Sequence, residues 1–306
     1  METVEGPVDV AAAARFLNER YGSGVKGVAE LGAGAWSRAF AFRLDGRDLV
    51  ARFGQHRYDV ESDEQATSYA GPDLPVPAVL EIGEALGAFY CISERHFGVF
   101  LETLDHAGWQ RVLPALCRAL DALRAVDPGE ASDEWTWRGW LLGSLADQPG
   151  NRMHGWRASI QSSAFADLFA RGEREMRSLL DCVPEARCVL HRDLLNRNVL
   201  VTHDGERIEA VFDWGCSIVG DQLYELALLT FFSPWYPALA ALDIGAAVRT
   251  HYETIGLDEP DFDRRLRCYE LHVGLEHLGG AVFTGREDYQ QSIAARTLAI
   301  LEQTAN

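Results

Sequence analysis

The stretch His191-Arg192-Asp193-Leu194-Leu195-Asn196-Arg197-Asn198 decides how this 306-residue chain is read, and Val211-Phe212-Asp213-Trp214 completes it. The first stretch places a carboxylate two residues after a histidine and an amide side chain five residues after that carboxylate. The second places another carboxylate at the end of an apolar segment. Phosphoryl transfer uses these parts: one Asp orients and accepts the proton of an attacking hydroxyl, while an Asn and a second Asp hold Mg²⁺ on nucleotide phosphates. Taken one at a time, Asp193 and Asn198 are ordinary turn residues and Asp213 a helix N-cap. Their order and spacing favour the chemical reading, with Asp193 as the catalytic base and Asn198 and Asp213 as metal ligands.

The segment between the motifs supports this assignment. Val199 to Thr202 and Arg207 to Phe212 alternate as short strands do, and Asp204-Gly205 is a tight-turn signal. A hairpin brings Asn198, before one strand, beside Asp213, after the other.

Upstream, Val10, Ala14, Leu17 and Tyr21 share a helical face that Gly22 stops. A strand then leads into Gly32-Ala33-Gly34-Ala35-Trp36-Ser37-Arg38, and Asp45-Gly46 joins two further strands. In a kinase, a loop such as 32–38 covers the triphosphate, with Gly34 and Ser37 allowing close approach; a plain hairpin connection has the same look. The third strand carries Val50-Ala51-Arg52-Phe53, with Arg52 where a kinase usually has a phosphate-binding Lys. Residues 59–70 read as a helix whose Glu64, or Glu61 one turn earlier, pairs with Arg52; Glu64 is preferred.

Leu74-Pro75-Val76-Pro77 is extended, because proline disfavours helix for its predecessor. Strands follow at 78–82 and 88–93. Glu94-Arg95-His96-Phe97-Gly98 then occupies the place of a hinge that meets the adenine edge, with Glu94 and His96 as positional candidates. Helical patterns dominate beyond it, over 109–126, 134–145, 160–181, 222–232, 243–255, 261–283 and 286–303. The reading is therefore an α+β, two-lobe chain: a small β-rich lobe with one main helix (1–97) and a large helical lobe (98–306).

With 28 Lys and Arg against 46 Asp and Glu, the formal charge is −18. That field repels nucleic acid and anionic membranes and attracts cations, although acidic charge also serves solubility alone. The six cysteines form no Cys-x-x-Cys pair and suit a reduced, cytoplasmic setting. The acidic, polar start shows no signal peptide, and no apolar run approaches the roughly 20 residues that span a bilayer.

The motifs together resemble the aminoglycoside phosphotransferase family, within the protein-kinase-like fold. The likeness covers nearly the whole chain and rests on the hairpin with Arg52, Leu74 to Pro77, His191 to Asn198, Val211 to Trp214, and Gly220-Asp221-Gln222-Leu223-Tyr224-Glu225-Leu226-Ala227. Shorter pieces (Ser37 to Phe40, Thr136-Trp137-Arg138, Ser233-Pro234-Trp235) are most similar to the 4-O-kinase subgroup, whose substrate is hygromycin B. The resemblance implies ATP- or GTP-dependent, Mg²⁺-assisted phosphorylation of an antibiotic hydroxyl. It implies that Arg52 contacts the α- and β-phosphates, that His191 braces the catalytic loop, and that Asp221 ties that loop in place. Gln222 stands where the family commonly has Pro.

A cationic sugar in a cleft needs carboxylates in place of water. The candidates are Asp221, Glu225, Glu270 and Glu276, with Trp235, then Trp137 and Trp140, as aromatic faces. Helix glutamates are otherwise solvated and Trp otherwise core. The expected partner is a cationic small molecule, not nucleic acid or membrane, bound by a monomer or weak homodimer. A macrolide, peptide-antibiotic, sugar or amino-alcohol kinase is the nearest alternative, and a nucleotide-binding pseudokinase a more distant one.

Overall fold

In the computed structural model, residues 8–34, 36–130, 134–148 and 153–303 are described; Ala35, in the anticipated phosphate loop, lies outside them. The chain opens with α1 (Val10–Tyr21), β1 (Val25–Ala33), β2 (Ser37–Leu44), β3 (Arg47–Gly54) and α2 (Arg57–Ala66). Then come β4 (Val79–Ala85), β5 (Ala88–Glu94), β6 (Val99–Phe100) and α3 (His106–Ala125). The helices α4 (Trp137–Ser144), α5 (Trp156–Gln161) and α6 (Ala166–Ser178) precede β7 (Cys188–Leu190), β8 (Val199–Val201), β9 (Ile208–Val211) and β10 (Ile218–Gly220). Five helices close the chain: α7 (Leu223–Phe232), α8 (Pro237–Ala240), α9 (Ile244–Thr254), α10 (Phe262–Phe283) and α11 (Glu287–Glu302). It divides into two compact units, residues 1–122 with 193–217, and residues 123–192 with 218–306.

The first unit is built on an antiparallel sheet in the order β1-β2-β3-β5-β4. Asp45 and Gly46 take φ of 51° and 85° between β2 and β3, the paired left-handed geometry that lets a two-residue turn match strand twist. Alternation then assigns faces. Leu49, Ala51 and Phe53 of β3 join Phe40, Phe42, Tyr90 and Ile92 in a core that Ala13 and Leu17 of α1 cover. Asp9 caps that helix, accepting from the Ala12 N–H at 2.7 Å. Val50 and Arg52, alternating with the core residues, stand on the other face.

A second small sheet, β6-β8-β9, carries the anticipated hairpin. Gly98 precedes β6 where a Cβ would lie 2.3 Å from the Val201 carbonyl oxygen, so only glycine lets the linker approach β8 this closely. The Pro75 carbonyl accepts from the Val211 N–H at 2.8 Å, which explains the extended proline segment.

The second unit is helical around α7 and α10, both buried on nearly all sides. The single helix expected over 160–181 is instead α5 and α6. Ser162 and Ser163 hydroxyls bond back to the Ala158 and Ile160 carbonyls, and Ser163 Oγ accepts from the Phe165 N–H, so local side-chain bonds end the helix there. Among the described residues, no helix is long and apolar enough to cross a membrane.

Candidate active site

The β8–β9 hairpin brings the two motifs together. Val199 faces Val211 in register, and the Phe212 N–H donates to the Asn198 carbonyl at 3.0 Å. Asp213 therefore follows one bond beyond the ladder, in left-handed backbone with φ 64°. Arg197 also takes this strained geometry, at φ 63°. The Asn198 amide donates to Asp193 Oδ2 and to the Asp193 carbonyl, each at 2.9 Å, and Asn196 Nδ2 donates to Asp193 Oδ1 at 2.5 Å. Two amides thus fix the orientation of the Asp193 carboxylate.

Arg52 reaches Asp213 from β3. Its Nη1 donates to Asp213 Oδ1 at 3.3 Å, while Nη2 donates to Asp63 and to the Asp59 carbonyl, the latter at 3.2 Å. Asp63 Oδ1 also accepts from the Trp214 N–H at 2.9 Å. Gly215 follows, where a Cβ would come within 2.9 Å of Asp59 Oδ1. One guanidinium and one helix therefore grip the chain at Asp213 and at the two residues that follow it. Burial alone would lower the Arg52 pKa; the charges of Asp63 and Asp213 outweigh it and raise it above its ordinary value.

The partner of Arg52 is therefore Asp63, not the expected Glu64, nor Glu61. Both glutamates are exposed, and Glu61 instead pairs with Arg57 at 2.7 Å. The helical wheel explains this: Asp59, Val60, Ser62 and Ala66 are the buried positions of α2, and position 63 falls among them. That pattern was present in the sequence.

Gly34 and Ser37 close the tip of the loop between β1 and β2, the Gly34 N–H donating to the Ser37 carbonyl at 2.8 Å. The Glu94 side chain is held by Arg47 at 3.0 Å, and His96 Nδ1 lies 3.7 Å from Glu209 Oε1. The Glu94 and Arg95 N–H groups donate to the Ala78 and Asp48 carbonyls.

In the second unit, the four carboxylates anticipated for substrate are committed internally. Asp221 is fully buried and binds Arg265 in a two-pronged pair, Nη2 donating to Oδ1 at 2.6 Å and Nε to Oδ2 at 3.0 Å, with Tyr269 donating as well. Glu225, not Asp221, holds the start of the 191–198 loop: it accepts from the backbone N–H groups of His191 at 2.7 Å and Arg192 at 3.0 Å. Position 221 was read as the tie, but its buried cation on α10 claims it. His191 itself is fully buried, which suits a bracing side chain.

Glu270 is buried against Arg296 at 3.3 Å, and Glu276 binds Arg192 at 2.7 Å. Burial alone would push the Glu276 carboxyl up, but the Arg192 charge brings it down to about 2. The aromatic candidates are also engaged. Trp137 is fully buried, Trp140 stacks on it at 5.1 Å, and Trp235 stacks on Phe231 at 6.0 Å. Asp221, Glu270 and Glu276, each already paired with an arginine, are poor sites for a second cation, because binding one would strand that guanidinium.

Among the described residues, no cluster of three or more His, Cys, Asp or Glu could hold a metal by itself. Asp213 is 39% exposed at its side chain, and the Asn198 amide nitrogen is turned to Asp193, which directs its oxygen elsewhere. Two hard oxygen donors completed by phosphates and water suit Mg²⁺, which rarely takes an all-protein cage.

The description "Phosphotransferase enzyme family" covers residues 27–257. Hygromycin-B 4-O-kinase from Escherichia coli is 31% identical, over 95% of this chain and 85% of that protein. Among solved structures, aminoglycoside phosphotransferase APH(4)-Ia superposes with a TM-score of 0.81 at 28% identity, over 97% of this chain and all of that one. A thermostable mutant of it, in ternary complex with AMP-PNP and hygromycin B, gives the same score and identity over 95% and 98%. A choline/ethanolamine kinase family protein from Mesorhizobium loti, at 18% identity and a TM-score of 0.69, shares the fold. The architecture is thus the kinase-like one, with a small antiparallel sheet domain and a mostly helical remainder.

Proposed function

The chain belongs to the phosphotransferase enzyme family, and from that premise we propose that it transfers the γ-phosphoryl group of ATP to a hydroxyl of an aminoglycoside, hygromycin B foremost, with antibiotic resistance as the outcome. The observation that carries this reading is the convergence of Asp193, Asn198 and Asp213 on one hairpin.

Asp193 orients the acceptor hydroxyl and takes its proton, its carboxylate held by Asn196 and Asn198. Asn198 and Asp213 hold Mg²⁺, which, when bound with the nucleotide, offsets the charge of the phosphates. Arg52 sets Asp213 in place and presents its guanidinium to the α- and β-phosphates. Gly34 and Ser37 shape the loop over those phosphates. Residues 1–97 supply the nucleotide side; because the Glu94 and Arg95 N–H groups are already engaged, the adenine edge is met from His96 onward.

The test is incubation of the purified protein with Mg-ATP and hygromycin B, followed by mass spectrometry of the antibiotic. A phosphorylated product is expected, and Asp193→Ala should abolish it while Mg-ATP still binds. Transfer retained by Asp193→Ala would sink the assigned role. Wild-type protein that binds Mg-ATP but phosphorylates no aminoglycoside would sink the substrate.

A further inference from the structure

Two residues beyond β7, Arg192 takes φ of 68°, left-handed backbone in which the Cβ crowds the following carbonyl. Glycine adopts this geometry freely. A residue as large as arginine keeps it only where its surroundings hold it there.

The second unit holds Arg192 from three sides. Glu225 of α7 accepts from its backbone N–H, at 3.0 Å to Oε2 and 3.2 Å to Oε1. Glu276 of α10 accepts from its guanidinium Nη2 at 2.7 Å. The Trp140 ring of α4 lies under that guanidinium, with the ring centroid 4.8 Å from Cζ, and the Tyr224 ring is 5.7 Å away. The paired side chains are only 16% and 26% exposed, so water screens the attraction weakly.

These groups are themselves fixed. The Tyr224 hydroxyl lies 3.5 Å from Glu276 Oε2 and 2.8 Å from His272 Nδ1, and Ser144 Oγ is 2.8 Å from His272 Nε2. Trp140 rests on the fully buried Trp137. A clamp ordered in advance can hold a backbone that local sterics oppose. That backbone sets the direction in which the next peptide leaves, and the next residue is Asp193.

We propose that Arg192 is a positioning residue: Glu276 and Trp140 fix its side chain, which keeps its backbone left-handed and thereby aims Asp193. The proposal rests on the reading of Asp193 as the base in aminoglycoside phosphorylation. It also gives Glu276 a part in the reaction other than binding substrate.

The test separates the backbone from the ion pair. Arg192→Ala and Arg192→Gly both delete the guanidinium, but only glycine keeps positive φ without help. With hygromycin B, Arg192→Gly should keep about tenfold more kcat than Arg192→Ala, with KM for ATP within about twofold in both. Glu276→Ala should lower kcat about tenfold, and adding Arg192→Gly to it should restore most of that loss. In crystal structures, residue 192 should move to negative φ in Glu276→Ala and return to positive φ in the double variant. Equal kcat for Arg192→Ala and Arg192→Gly would mean a pair that serves stability alone and would overturn the proposal. So would a left-handed residue 192 in Glu276→Ala. If φ changes as expected while wild-type protein phosphorylates no aminoglycoside, the clamp stands and the aminoglycoside reading falls.

Discussion

Arg52→Lys is the most informative single change, because it keeps the charge and removes only the second arm. The guanidinium holds Asp63 and the Asp59 carbonyl with one nitrogen and Asp213 with the other. A lysine has one nitrogen and should stay with Asp63, the more buried carboxylate (12% against 39% exposed). A hydrogen bond to a charged group contributes about 1.5–3 kcal/mol. Water reaches Asp213, so the expected loss lies lower, about 1–2 kcal/mol, or roughly a 3–6 °C fall in Tm. Arg52→Gln leaves both carboxylates without their cation and should cost about 3–5 kcal/mol. Urea unfolding of Arg52→Lys, Asp213→Asn and the double variant isolates the lost contact. A coupling energy of about 1 kcal/mol is expected. Additive single effects, with wild-type stability for Arg52→Lys, would refute the two-armed clamp.

Three other outcomes follow from the geometry. Glu225→Gln removes the charge behind the His191 and Arg192 N–H groups and should lower kcat about ten- to a hundredfold, while helical content by circular dichroism persists. His272 is buried, bonded to Tyr224 at 2.8 Å, and held down to about 4 by that burial. Its folded pKa lies below the unfolded value of roughly 6.5, so its contribution is full above that pH and is lost as pH falls toward 4, about 2 kcal/mol by pH 5. His272→Gln should flatten the pH 7 to 5 slope of urea-unfolding stability. Gly98→Ala, with its Cβ forced against the Val201 carbonyl, should cost about 1–3 kcal/mol in the same assay.

The parts legible in the sequence were those set by local rules. Asp45-Gly46 and Asp204-Gly205 marked their hairpins, and the hairpin at Asp45-Gly46 put Arg52 on the third strand. The β8–β9 hairpin could be inferred because its turn and both motifs lie within one short segment. Partner choice was harder, since Asp63 and Glu64 are both acidic and only the helical phase of α2 separates them. Asp221 and Glu225 illustrate the limit: each is a carboxylate near a helix start, and what tells them apart is Arg265, 44 residues beyond Asp221. The strands β6, β7 and β10, at two or three residues, are too short to show a period.

The first unit is discontinuous along the chain: residues 1–122 wait for 193–217 to complete it. During synthesis Arg52 emerges 161 residues ahead of Asp213, a delay of about 8–32 s at usual translation rates. Over that interval the nascent chain carries an Arg52–Asp63 pair without its third member and a β6 edge without β8. The hairpin proposed to do the chemistry is therefore also the segment whose arrival lets the earlier-made part finish folding, and a ribosome stalled before residue 217 would hold an unfinished domain rather than a folded one.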